Sequence, residues 1–149
     1  MFFKNLNSTS KVWVYTSDRP LSVAENDYLQ KQSSFFVEDW AAHGVGLKAE
    51  ALVYKNQFLI LAVDESQTNA SGCSIDSSVK FVKAMGGEIN TDFFNRMNLV
   101  ITKNESELEM THVSDLKKFL DYSVYNPMIT TLEQLRNSWL IPVSSSPFV

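Results

Sequence analysis

The sequence predicts an α+β fold: a mainly antiparallel sheet with helices packed on one face, built as a ferredoxin-like βαββαβ core followed by C-terminal helices. Three observations predict it. Strand-like and helix-like runs follow one another in the order β-α-β-β-α-β, then β-α-α. Two of the strand-like runs are separated only by a short turn at Asn56 and Gln57, which makes them a hairpin. The helix-like runs open on capping signals and close on glycine or proline.

The first strand is KVWVYT, Lys11 to Thr16, β-branched and aromatic on both faces as a central strand should be. The segment DRP then turns the chain. The first helix runs from Leu21 to Gly44. Ser22 and Glu25 form its capping box, and Ala24, Tyr28, Leu29, Phe36 and Trp40 fall on one face. Gly44 is its natural stop. Leu47, Ala49, Ala51 and Val53 alternate along the second strand, and FLILAVD, Phe58 to Asp64, is apolar on both faces. After a serine-rich loop, Ile75, Val79, Val82 and Met85 mark an amphipathic helix that Gly86 and Gly87 end. Met97 to Thr102 is the next strand, with Glu107 to Val113 as its partner. Ser114 caps a short helix, and Thr130 with Glu133 opens the last one, which Pro142 terminates. Trp40, Trp139, Phe35 and Phe36 are expected in the core.

At 149 residues, and without a Pro/Gly-rich linker or a repeat, residues 1–149 are expected to form one domain. An apolar fraction of 44% excludes disorder as the default state. A net charge of −4 gains nothing from counterion release on a phosphate backbone and repels anionic membranes, so neither nucleic acid nor a membrane is an expected partner. The longest fully apolar run, Phe58 to Val63, is far short of the roughly 20 residues that cross a bilayer. The N-terminus lacks the apolar stretch of a signal peptide, and one cysteine makes no internal disulfide. A cytoplasmic protein is the expectation.

The phrases VWVYTSDRPL, FVEDWAAHG, ILAVDES and ASGCSIDSSV, spread between Val12 and Val79, resemble a family of short bacterial proteins of unknown function. Automated descriptions of that family often read "ABC transporter ATPase". The residues do not support the description. A phosphate-binding loop needs a Gly-Lys step, and none of the five glycines precedes a lysine.

Chemistry concentrates between Asp64 and Ser78. Cys73 is the only cysteine, set near the start of the second helix, where free amides and the helix dipole stabilise a thiolate. With His43 or His112 as base and Asp64 as orienting acid, it would be a nucleophile. The alternative is a small buried cysteine, with Ser71 or Ser74 as the helix cap. A third reading needs no covalent step: the amides and hydroxyls of Ser71, Gly72 and Ser74, with Glu65 alongside, cradle a carboxylate or phosphate, while Arg19 and Arg96 supply charge. His43 also suits the end of a helix, bonded to its last carbonyls. No metal site is expected, because His43, Cys73 and His112 share no ligand spacing and the adjacent acids Asp64 and Glu65 point to opposite faces. No cofactor is called for.

Three functions therefore compete. One is a non-catalytic module that binds a small anionic molecule or a protein through Ser71–Ser74. Another is a cysteine-dependent enzyme. The third is a structural protein, a homodimer through an exposed sheet edge or face.

Overall fold

Phe58–Asp64 carries apolar residues on both faces, so it must be covered on both sides. In the computed structural model, which describes residues 1–42 and 44–149, every one of its residues is buried. It is strand β5, the middle of a three-stranded antiparallel sheet. β1 (Lys11–Thr16) lies on one side of it and β4 (Lys48–Tyr54) on the other. The β4–β5 hairpin turns through Lys55, Asn56 and Gln57: Lys55 and Asn56 take positive φ (51° and 55°), and Gln57 N–H donates back to Tyr54 O (3.1 Å).

The alternation of β5 separates two cores. Leu59, Leu61 and Val63 face α1 (Val23–Asp39) and α2 (Gly72–Ile89), where they meet Leu29, Val37, Val82 and Met85. Phe58, Ile60 and Ala62 face the other way, onto Val100, Tyr125, Leu132 and Trp139. Val100 and Tyr125 belong to a second antiparallel sheet of order β7-β6-β8-β9, Leu132 to α3 (Leu132–Asn137), and Trp139 to the short link from α3 back into that sheet. Its strands are β6 (Asn98–Thr102), β7 (Leu108–His112), β8 (Ser123–Tyr125) and β9 (Leu140–Pro142). A third core joins Leu99 and Ile101 to Leu116 and Val143, on 3₁₀ helices at Val113–Phe119 and Val143–Ser145. The layers run α1 and α2, first sheet, second sheet, 3₁₀ helices.

The α+β class, the antiparallel sheets and the two long helices on one face of the first sheet follow the sequence reading. The order β1-β5-β4 matches three strands of a ferredoxin-like sheet; the fourth departs. β6 carries buried residues on both faces, which the edge of a one-sided sheet cannot cover, and it sits between β7 and β8. The free edge of β1 is taken instead by the chain before α3. Val12 N–H donates to Thr130 O (2.9 Å) and Leu132 N–H to Ser10 O (2.8 Å). The opposite edge, on β4, is clipped by Gln30 of α1: its amide donates to Ala51 O and accepts from Val53 N–H.

Several boundaries move. The Ser22–Glu25 capping box forms, but α1 ends at Asp39 rather than Gly44. Trp40 turns extended and accepts from Leu47 N–H, and the two-residue strands β2 (Ala41–Ala42) and β3 (Val45–Gly46) pair around Gly44. Gly44, at φ +78°, serves that turn and not a helix stop. The second helix starts at Gly72 and runs through both glycines to Ile89. Gly86 is needed there because a Cβ would lie 2.7 Å from the Thr91 carbonyl oxygen, where the chain folds back. His112 rather than Ser114 caps the first 3₁₀ helix, through a bond from Ser114 N–H to Nδ1. The last capping box is Thr131–Gln134, one residue beyond the predicted pair, and α3 gives way to β9 at Leu140.

Candidate functional site

The Asp64–Ser74 segment is tied by its own side chains. Asp64, at the end of β5, accepts from Ser66 N–H (2.9 Å) and lies 3.6 Å from Lys48 Nζ. The bonds from Ser66, with help from Lys48, hold its carboxyl below the usual aspartate range. Glu65 accepts from Ala70 N–H (2.7 Å) and meets Lys11 at 3.3 Å, which closes the loop on itself. Ser71 is the N-cap of α2: its hydroxyl accepts from Ser74 N–H and its own N–H donates to Ser74 Oγ. Trp40 Nε1–H donates to the Ser74 carbonyl at 2.8 Å, locking the end of α1 to the start of α2. Asp64 is therefore a turn-forming residue, and the two serines spend their side chains on each other.

Cys73 is exposed, at the second position of α2, so the reading of it as a buried hydrophobe is corrected. No burial holds it there; the inward positions of this turn are Ser74 and Ser78. His43 falls outside the described residues. His112 ends β7, in the second sheet, whereas α2 covers the outer face of the first. Stacked sheets alone are about 10 Å apart, so His112 cannot serve as base for Cys73.

Arg19 is excluded from the same place by distance. Its guanidinium makes two bonds to Glu25 (2.9 and 2.7 Å) and one to Ile89 O (2.6 Å), and so ties the start of α1 to the end of α2. An 18-residue helix is about 27 Å long, and Ser71 stands at its other end. Arg96 lies in the chain between α2 and β6. Arg19 supplies no charge to the Ser71–Ser74 loop, and the anion cradle loses that expected cation.

The Arg19 pair shapes the acid response of the fold. Bonds from Arg19, then from the Ser22 amide, lower the Glu25 pKa from 4.5 to about 2. A carboxyl depressed in the folded state stabilises it above the unfolded value, and that support drains as pH falls from about 4.5 towards 2. Thermal melts followed by circular dichroism should show the gap between wild type and Glu25→Gln closing across that window. A gap constant with pH would contradict the assignment.

The open concavity of the helical layer lies elsewhere. Leu29, Ser33 and Val37 form the buried row of α1. Phe35 is two positions from both Ser33 and Val37, which on a helix is the opposite side, and it is 52% exposed; its predicted place in the core is corrected. Phe36 leans across to Phe81 of α2, the rings stacked at 4.5 Å and 12°. Trp40 stands 5.3 Å from Phe36. Together with Asp39 and Ser77 these aromatic residues line a groove of about 560 Å³. Cys73 precedes Ser77 by one turn on the same face of α2, so the thiol stands beyond the groove's end. Sequence reasoning missed this site. The available signal was a phenylalanine, Phe35, placed off the apolar row of its own helix.

Among the described residues there is no group of three or more His, Cys, Asp or Glu placed to hold a metal ion, and no helix long and apolar enough to cross a membrane. These features define an α+β protein of two stacked antiparallel sheets with an aromatic groove between its paired helices. No protein-family model, curated protein or solved structure matches the chain.

Proposed function

We propose that the chain is a non-catalytic binding module that takes a small organic molecule in the groove between α1 and α2, with the capped Ser71–Ser74 turn beyond one end of it. The observation that carries this reading is the groove itself. Its volume of about 560 Å³ lies within the range of small-molecule sites, roughly 300–1,000 Å³, and its aromatic walls suit such a ligand. The reading is supported by the structural employment of Asp64, Glu65 and Arg19, which leaves no assembled catalytic group beside Cys73 among the described residues. A cytoplasmic setting and kinship with the bacterial family that the sequence resembles belong to the same proposal. A thermal-shift screen of a fragment library tests it. Ligands that raise the melting temperature of the wild type should lose that effect on Phe81→Ala. Stabilising ligands whose effect survives in Phe81→Ala would refute the groove as their site.

One observation favours a second reading, catalysis by Cys73: the thiol is exposed in the first turn of α2. Ellman's reagent should therefore label the native protein stoichiometrically, and a thiol that reacts only after denaturation would contradict the exposure. Catalysis further requires a labelling rate well above that of a free thiol at the same pH.

A further inference from the structure

We propose that the groove between α1 and α2 is selective for organic cations, its occupant being a small molecule with an ammonium group set among apolar carbons. The proposal rests on the groove being the binding site and names the chemistry that the site prefers.

Three features of one charge sign converge there. The walls are aromatic: Phe36 and Phe81 are stacked, Trp40 stands beside them and Phe35 is half exposed. Aromatic faces are negative and attract a cation placed over them. Among the described residues, Asp39 is the one charged residue in the groove's lining. It is exposed and makes no ion pair among the described residues. Finally, Asp39 is the last residue of α1, at the negative end of the helix dipole. The last turn of α1 holds Glu38 and Asp39 and no basic residue, which is the reverse of what helix stability favours.

Among the described residues no basic side chain lines the groove. Lys31, Lys80 and Lys83 lie on the same two helices but do not line the groove. The lining residues of α2, Ser77 and Phe81, sit beyond its first turn, past the reach of its positive end. The net charge of −4 acts in the same direction at long range. An anion in this groove would meet Asp39 and the carbonyl end of α1. A neutral ligand would gain the apolar contacts alone. A single small molecule fits the volume better than a protein surface, which needs a far larger area.

The test separates charge from shape. Choline and 3,3-dimethylbutan-1-ol have the same size and outline, and differ in replacing N⁺ by carbon. Each is titrated into the ¹⁵N-labelled full-length protein and followed by backbone amide shifts. The expected result is saturable binding of choline at residues 32–41 and 77–81, roughly tenfold tighter than the neutral alcohol. Asp39→Asn should weaken choline severalfold and leave the alcohol unchanged. Asp115→Asn, the same loss of charge on a distant 3₁₀ helix, should change neither; a unchanged melting temperature in both variants certifies the fold. Equal affinity for the two ligands would overturn the cation preference and leave the groove standing as a site. Equal weakening by Asp39→Asn and Asp115→Asn would overturn it as well, by making the effect one of net charge. Saturable binding of neither ligand would overturn the preference, and the fragment screen would then decide the groove itself.

Discussion

Replacing Ile60 with alanine is expected to lower the free energy of unfolding by about 2–5 kcal/mol, as much as Leu61→Ala on the other face of β5. Both side chains are fully buried, but against different layers. Leu61 meets the helices, and Ile60 meets the second sheet. In a two-layer fold with one sheet face open to water, the Ile60 substitution would cost well under about 1 kcal/mol, since a solvated side chain loses little on truncation. Urea denaturation of the two variants makes the comparison. Similar losses support the sheet-on-sheet arrangement, and a near-neutral Ile60→Ala would contradict it.

Trp40→Ala should cost about 3–5 kcal/mol, the usual loss for a buried aromatic side chain. Trp40 is only 3% exposed, packs edgewise on Trp13 at 5.9 Å and donates its indole N–H to Ser74 O. Trp40→Phe keeps most of the ring contact and removes that donor, so about 1 kcal/mol is expected from it. The Ser74 carbonyl retains a bond from the Ser77 hydroxyl at 2.8 Å, which limits the damage. The difference between the two variants measures packing, and the smaller loss measures the hydrogen bond. If Trp40→Phe were as damaging as Trp40→Ala, the hydrogen bond and not the ring would be joining α1 to α2.

What could be read in the sequence was local. The two-faced apolar run at Phe58–Val63 announced a central strand, and Ser22 with Glu25 announced the start of a helix, because each signal lies within a few residues of its consequence. The edge of β1 was not legible. Its partner is the chain at Thr130–Leu132, more than a hundred residues away, and nothing in local pattern selects that segment over β6. The acids of the serine-rich loop looked like chemistry because sequence shows their type and hides their partners. Glu65 binds an amide five positions on, and Asp64 a lysine across a strand pair. Cys73 was read through the usual burial of free thiols, while the helical phase, set by Ser74, Ser78 and Val82, turns it outward. The groove was hidden for the same reason as the β1 edge. Phe36 and Phe81 are far apart in the chain, and only the packing of two helices on one sheet stacks them.

The most direct measurement is the amide-shift map of the ¹⁵N-labelled protein with a stabilising fragment from the thermal-shift screen. The account predicts saturable shifts confined to the end of α1, residues 32–41, and to residues 77–81 of α2, lost in Phe81→Ala. Shifts that instead centre on Ser71–Ser74, or on the Arg19 end of α2, with the aromatic residues of the groove unmoved, would contradict it.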